Sequence, residues 1–306
     1  MRLFGWFRRA PQQAVAEAPA SAPRRWAWLG GRRVLTNTPY ILPKDKAEGD
    51  RLDLQHHLYK LLLGRNYFAR LRQPRAILDV ACGTGIWGRE MALEFKRAQV
   101  TGFDIDRTPL EAALARLGPG GMFPRNFRFL EADALQPFPF EDESFDFTHA
   151  RAISPFVPIA RWPAVVAEMV RVTRRGGYVE LVDFDMSGAS SESLAFNTLW
   201  EALQSLMAGR GLHPGAAPYL AQYLRQAGLA HIQERRALAG TGQQARRQQQ
   251  ILITDLLSIL TNVQPIMAKA GIMPEADYRQ ALERARDELL RLGATQPVVF
   301  AFGQRL

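Results

Sequence analysis

The chain has 306 residues with 47% hydrophobic content, a formal charge of +9 at pH 7 and one cysteine, Cys82. This length allows one large domain, or one domain with an appended lobe, and a single cysteine excludes an intrachain disulfide. No uninterrupted apolar run approaches the roughly 18 residues that a membrane-spanning helix requires. A reducing compartment fits this cysteine usage, so we expect a cytoplasmic protein.

Residues 1–30 are interpreted as a basic tail and linker, which we expect to be disordered. Arginines dominate it, and a stretch rich in alanine, proline and glutamine covers residues 10–23. Residues 3–9 combine aromatic and basic side chains, so weak contact with a membrane surface is the alternative. Because such a tail attracts phosphates regardless of sequence, we predict no sequence-specific nucleic-acid binding.

Residues 31–70 predict an extended segment followed by a helix. Pro43 ends the extended segment, and from about residue 46 leucines recur at helical spacing, with Leu54 and Leu58 on one face. Gly64 is suited to end this helix because glycine readily adopts the left-handed conformation of a C-terminal cap.

A strand, a tight turn and a helix are predicted around two glycines. Apolar residues flank Asp79 in the strand, and Gly83 and Gly85 form the turn. Glycines let a ligand approach the backbone, and free N–H groups at the helix start face the same ligand. With Gly88, these glycines also satisfy the dinucleotide pattern G-x-G-x-x-G, and Asp104 lies near the expected ribose-binding acid. A nicotinamide site therefore stays open at this point.

The next two predicted strands also end in acidic residues. Asp104 follows the strand that begins near residue 99, and Asp133 follows the strand that begins near residue 127. Open α/β sheets bind ligands at the carboxyl ends of their strands. Because a carboxylate can accept both ribose hydroxyl protons of a nucleoside, these ends predict a nucleoside site.

Several segments together resemble the class I S-adenosylmethionine (SAM) methyltransferases, in the LaeA-like branch known from fungal secondary-metabolism regulators and bacterial relatives. Residues 40–45 read Tyr-x-Leu-Pro-x-Asp, residues 51–56 read Arg-Leu-x-x-Gln-His, and residues 83–87 read Gly-Thr-Gly-Ile-Trp. Asp133-Ala134 matches the adenine-binding element of these enzymes, which the dinucleotide fingerprint does not require. The resemblance therefore favours SAM over a nicotinamide cofactor.

The resemblance implies a cap over the SAM pocket at residues 31–70 and a methyltransferase domain at residues 71–306. The cofactor-binding residues that it implies are Tyr40, Arg51, Gln55, Asp79, Ala81, Gly83, Gly85, Asp104, Ile105, Asp133, Ala134 and Ala150. For Arg51 and Gln55, pairing on the helix surface is the alternative.

The rest of the chain predicts further strands near residues 145–149, 178–184, 231–237 and 297–303, and a turn at Gly176–Gly177. A helical insert at about 240–293 precedes the last strand. The expected fold class is α/β, a Rossmann-like, doubly wound sheet of seven strands, mostly parallel with one antiparallel strand, as in class I methyltransferases.

His149 is the first candidate for a catalytic general base, because it lies where the fourth strand meets the predicted ligand crevice. A neutral hydroxyl acceptor benefits from such a base, whereas structural packing beside the cofactor is the alternative. Glu180, Asp183, His56 and His213 are further candidates. No spacing of metal ligands stands out, so we predict no metal site.

We therefore expect a SAM-dependent methyltransferase whose substrate is a small organic molecule resembling a secondary metabolite. Two alternatives keep SAM: a regulatory protein that acts through partner proteins, and an enzyme that uses SAM without transferring its methyl group. A third alternative, which does not use SAM, is a nicotinamide-dependent oxidoreductase. The sequence leaves the oligomeric state open.

Overall fold

A computed structural model describes residues 25–116, 122–242 and 244–306, so most of the predicted basic tail lies outside the described residues. An antiparallel hairpin opens the described chain, with β1 at Trp26–Leu29 and β2 at Arg32–Leu35. The predicted tail, residues 1–30, therefore ends too late, because it includes strand β1. Tryptophan favours strands, and the Arg33 guanidinium covers the Trp26 ring at 3.6 Å from its centroid.

Helix α1 spans Lys46–Leu63 and is the predicted helix of the cap. Asp45 accepts a hydrogen bond from the Glu48 N–H at its N-terminus, and Gly64 ends it with a φ of +80°. Both caps satisfy backbone groups that a helix end leaves free. Glu48, Arg51 and Gln55 are buried on this helix, so they require polar partners from another element.

One seven-stranded sheet forms the centre of the protein. Its strands are β3 (Ala76–Val80), β4 (Gln99–Asp104), β5 (Phe127–Glu131), β6 (Phe145–Arg151), β7 (Thr173–Phe184), β8 (Ala230–Ala239) and β9 (Gln296–Gln304). They lie in the order β5-β4-β3-β6-β7-β9-β8. Strand β9 is antiparallel to both neighbours, and the other adjacent pairs are parallel. The predicted seven-stranded sheet with one antiparallel strand is confirmed.

Helices pack on both faces of this sheet. They are α2 (Ile86–Glu94), α3 (Thr108–Arg116), α4 (Trp162–Val172), α5 (Leu194–Gly209), α6 (Leu220–Gln226), α7 (Ala245–Lys269) and α8 (Glu275–Leu292). Side chains along β3 alternate between the faces: Ile77 packs with Trp87 of α2, whereas Leu78 packs with Met169 of α4. Because both faces are covered, every residue of β3 is buried, and all of them except Asp79 are apolar.

Helices α1, α5, α7 and α8 enclose a further hydrophobic cluster beside the sheet. Helices α7 and α8 form the predicted helical insert before β9. By length and composition α7 could cross a membrane, but 56% of its most apolar window is buried inside the protein, as in a core helix.

A bulge in β7 replaces the predicted turn at Gly176–Gly177. Thr173 pairs with Phe145 and Tyr178 pairs with Phe147, so the residues between Thr173 and Tyr178 bulge out of the ladder. Gly176 has a φ of +78°, and a Cβ on Gly177 would lie 2.8 Å from the Asp146 carbonyl oxygen. The glycines therefore permit a close backbone approach rather than a chain reversal.

Candidate functional site

A large cavity, with a volume of about 530 Å³, lies at the carboxyl ends of β3, β4, β5 and β6. Ligand cavities in proteins have about this size. Residues after each strand form one wall, and residues of the cap, including Tyr40 and Gln55, form another. The cap therefore covers the edge at which an open α/β sheet binds its ligands.

The glycine turn after β3 forms the floor of this cavity. The Cys82 N–H donates to the Phe103 carbonyl and the Gly85 N–H donates to the Cys82 carbonyl, both at 2.9 Å, which fixes the turn. Gly83 has a φ of +54° and lines the cavity, where a Cβ would contact only Leu52, at 3.5 Å. The backbone at Gly83 is thus open to a ligand.

Asp104, at the end of β4, borders the same cavity. Its Oδ2 accepts a hydrogen bond of 2.9 Å from the Gly83 N–H, and its Oδ1 lies 3.8 Å from the Lys44 Nζ of the cap. These contacts orient the carboxylate and leave it further acceptor capacity. Ile105, the next residue, also lines the wall.

Asp133 and Ala134, after β5, line the far end of the cavity together with Leu135. The Leu135 N–H donates to Asp133 Oδ1 at 2.9 Å, which closes a tight turn. This turn holds the Asp133 carboxylate and the Ala134 backbone side by side at the wall. An acceptor next to a backbone donor suits the edge of an adenine ring.

Arg51 lies outside the large cavity, although it was predicted to contact the cofactor. It is buried, and it donates to both carboxylate oxygens of Glu48 and to Asp255 Oδ1 of α7 at 2.6 Å. Gln55 donates to Asp255 Oδ2 at 3.1 Å. The alternative of surface pairing is also wrong, since these residues connect α1 to α7 inside the protein.

A second cavity of about 60 Å³ adjoins the first. Tyr40, Leu52, Gln55 and Ala152 line both cavities and mark their junction. Apolar side chains dominate the rest of its wall: Ile41, Leu42, Phe184, Met186, Trp200, Leu203, Met207, Ile259 and Val263. The polar groups there include Arg51, Asp183 and Asp255.

His149 is buried away from both cavities. Its ring stacks on Trp87 with centroids 3.8 Å apart, and its Nδ1 lies 3.4 Å from Asp79 Oδ1. Burial, with the nearby Arg151 charge, lowers the pKa of His149 well below its usual value, so the ring is neutral. The structure therefore favours the packing alternative over the predicted general base.

Three other predicted cofactor residues, Asp79, Gly85 and Ala150, do not line the large cavity. Asp79 lies beneath the glycine turn, where burial raises the pKa of its carboxyl to about 7. A Cβ on Gly85 would lie 2.7 Å from Leu110 Cδ1, so this glycine serves helix packing. Ala150 belongs to the hydrophobic core.

The large cavity also has polar wall residues outside the predicted set of cofactor-binding residues, namely Asn37, Thr38, Lys44, Thr84, Gln136, Arg151 and Arg161. Arg151 lies in the stretch from His149 to about Pro155, which the sequence predicts to border the cofactor and the substrate because it follows the fourth core strand. The other side chains reach the wall through the packing of loops.

The hydrogen-bonding groups on the cavity wall fit a nucleoside that carries a charged tail. Acids line the ends of β4 and β5, and a glycine edge and a guanidinium lie at the ends of β3 and β6. Within residues 25–116, 122–242 and 244–306, no cluster of three or more His, Cys, Asp or Glu side chains could hold a metal ion.

Residues 77–177 match a family model described as a methyltransferase domain. Methyltransferase str3 of Strobilurus tenacellus is 33% identical over 149 residues, which cover 48% of this chain and 50% of that protein. The secondary metabolism regulator LAE1 of Cochliobolus heterostrophus is 32% identical over 170 residues, covering 53% and 50%. The chain thus spans about half the length of the curated relatives it matches.

Among solved structures, phosphoethanolamine N-methyltransferase 2 of Haemonchus contortus, in complex with S-adenosyl-L-methionine, has a TM-score of 0.50 and 18% identity. The alignment covers 83% of this chain and 57% of that chain. At this identity the likeness concerns the fold alone.

Proposed function

We propose that this chain, which carries a class I SAM-dependent methyltransferase domain, transfers a methyl group from SAM to a small organic acceptor with an apolar body. The observation that carries the proposal is the large cavity, where Gly83, Asp104 and Asp133 meet from three neighbouring strand ends. The domain match over residues 77–177 supports the same activity.

The residues of the large cavity suit the parts of SAM in order. We propose that Asp104 accepts ribose hydroxyl protons and that Asp133, with the Ala134 N–H, binds the edge of the adenine. When bound, SAM supplies an activated methyl group and a thioether leaving group. Dinucleotide-binding sheets of strand order 3-2-1-4-5-6 do not place an antiparallel strand between the last two, as β9 does here, which argues against the nicotinamide alternative.

The acceptor is proposed to occupy the smaller cavity and to meet the methyl group at the junction of the two cavities. The junction residues Tyr40 and Gln55 are polar, whereas most of the smaller cavity is aliphatic or aromatic. Such a lining favours an acceptor with an apolar body and one polar group near the junction. The match to LAE1, a secondary metabolism regulator by its name, supports an acceptor that resembles a secondary metabolite.

Alignment, rather than proton transfer, is the proposed contribution of this chain to methyl transfer. In the described parts of the chain no histidine lines either cavity. The Asp183 carboxylate in the smaller cavity already accepts hydrogen bonds from the Ser154 N–H, the Ser154 hydroxyl and the Phe184 N–H. The acceptor atom is therefore proposed to be nucleophilic without a strong protein base.

Incubation of the protein with methyl-labelled SAM and a cell extract, followed by size separation, tests this function. We expect label in a small apolar product. Label in protein or RNA would contradict the proposed acceptor class. The match to LAE1 makes a SAM-binding regulator the second candidate, and SAM binding without any labelled product would favour it.

A pair of glycine variants supplies the matched control for this assay. Gly83→Val should abolish SAM binding and labelling, because its side chain enters the cavity at a residue with a φ of +54°. Gly64→Val imposes similar backbone strain, at a φ of +80°, with nothing within 4 Å of the added Cβ. Equal losses in both variants would place the ligand elsewhere.

A further inference from the structure

A half-buried guanidinium faces the large cavity without a carboxylate partner. Arg151 ends β6, and its side chain lines the cavity beside Ala81 and Gly83. Among the described residues, its polar contact is with His56, whose Nδ1 lies 3.0 Å from Arg151 Nη2. Its Cζ also lies 4.9 Å from the Tyr59 ring centroid.

A half-buried cation without an ion pair needs an explanation, because proteins pair almost all charges that they withdraw from water. The carboxylates of Asp79, Glu90 and Asp53 attract Arg151 electrostatically, but none of them forms an ion pair with it. A guanidinium remains protonated at neutral pH even when burial lowers its pKa. The open side of Arg151 therefore offers N–H donors and a positive charge to whatever occupies the cavity.

The two other cations of this cavity are already engaged. Lys44 lies 3.8 Å from Asp104 Oδ1, and Arg161, at the exposed rim, donates to the Leu135 carbonyl next to Asp133. Arg151 differs from both of these cations. It lies at the end of the cavity opposite the proposed adenine position, and no carboxylate pairs with it.

His56 holds this guanidinium in place. Its side chain is buried, and its Nε2 lies 3.3 Å from Glu90 Oε2, which also pairs with Lys60 at 2.6 Å. Burial lowers the pKa of His56 to about 4, so the ring is neutral at pH 7. Because Arg151 can only donate, the Nδ1 atom accepts and the proton resides on Nε2, facing Glu90.

We propose that Arg151 binds the carboxylate at the amino-acid end of SAM and that His56 is its positioning residue; this proposal rests on the proposed function. The fork of a guanidinium matches a carboxylate and forms charge-assisted hydrogen bonds with it. The adenosine part of SAM carries no such anion, so this contact selects the intact amino-acid tail.

Calorimetric titration with SAM and with decarboxylated SAM, which lacks only the carboxylate, tests the proposal. The wild-type protein should bind SAM ten- to a hundredfold more tightly than the decarboxylated form. Arg151→Gln should reduce this preference to less than threefold, by weakening SAM alone. Arg151→Lys keeps the positive charge but loses the two-pronged guanidinium, so it should retain an intermediate preference for SAM. This variant tests the proposal even if Arg151→Gln fails to fold.

Two further variants separate a binding role from a structural one. His56→Leu should lower the preference for SAM, and His56→Asn, which restores an acceptor near the Nδ1 position, should recover it. Arg161→Gln removes a cation from the other end of the cavity and should leave the preference unchanged. An unchanged preference in Arg151→Gln, or equal weakening of both ligands, would overturn the assignment of Arg151. If the wild-type protein binds neither SAM nor its decarboxylated form, the proposed function fails as well.

Discussion

Asp104 is the residue whose role in cofactor binding can be tested most directly. Asp104→Ala should weaken SAM binding by about 1–3 kcal/mol, because it removes a charged acceptor from the ribose. Calorimetry measures this change. Asp106→Asn is the matched control, since Asp106 lies two residues further on, caps Thr108 and does not line the cavity. Equal affinity in the wild-type protein and Asp104→Ala would remove Asp104 from the site.

The residues that the sequence predicts well are those set by local chain geometry. Gly83, Asp104 and Asp133 follow strands directly, so strand order alone places them at the cavity wall. The orientation of His149 depends on tertiary packing. Residues 147–150 of β6 are all buried, so no alternation of polar and apolar residues indicates which face His149 occupies.

At the scale of elements, a buried ion pair connects the cap to the helical insert. Asp255→Ala should lower the free energy of unfolding by about 3 kcal/mol or more, because it leaves Arg51 buried with one carboxylate fewer. Urea unfolding measures this loss. In the control Glu275→Ala the pair with Arg279 is 62% and 63% exposed, and its removal should cost less than about 0.5 kcal/mol. Similar losses in both variants would contradict the account.

This connection could not be predicted from the sequence. Arg51 and Asp255 are separated by 204 residues, and each sits on a helix whose apolar residues alone suggest a core face. The helices themselves were predictable from their spacing. Their pairing depends on which buried charges meet, and local sequence patterns carry no information about that.

Strand β7 contains a second buried acid, Glu180, that makes stability depend on pH. It accepts hydrogen bonds from the N–H groups of Phe68 and Ala69 at 2.7 and 2.6 Å. Burial nevertheless raises the pKa of its carboxyl from 4.5 to about 7. Between these pKa values the folded state keeps a proton that the unfolded state has lost, so the free energy of unfolding falls as pH rises through this window.

The wild-type protein should therefore lose about 2 kcal/mol of stability from this group between pH 5 and pH 8. Glu180→Gln should lack this component, because the amide stays neutral and its oxygen can accept the same bonds. Urea unfolding at both pH values measures the difference. Asp142→Asn changes a carboxylate that is 71% exposed and should keep the wild-type slope. A wild-type slope in Glu180→Gln would refute the assignment.

At the scale of the whole molecule, the division into two adjoining cavities predicts that cofactor binding and acceptor binding can be separated. Ile259→Phe should fill the smaller cavity, which has a volume of about 60 Å³. We expect methyl transfer to fall at least tenfold while calorimetry shows SAM affinity unchanged. Leu257→Phe lies on the same helix outside that cavity and should keep activity. Loss of SAM binding in Ile259→Phe would contradict the proposed division.

The fold as a whole was predictable because several local patterns indicate it. The strands at the centre of the sheet are mostly apolar, helices connect most of them, and a glycine turn follows β3, so the doubly wound sheet follows from local patterns. The hairpin formed by β1 and β2 was missed because arginines and a neighbouring basic tail obscured two short strands. The smaller cavity was not predictable, since its lining comes from the cap, the strand ends and the insert.

The crystal structure of the protein with S-adenosylhomocysteine is the most direct test of the central claim that the strand-end cavity binds SAM. The account predicts the adenine beside Asp133, the ribose on Asp104 and the amino-acid carboxylate on Arg151. A cavity closed by the protein's own side chains, or the ligand bound at another surface, would contradict it.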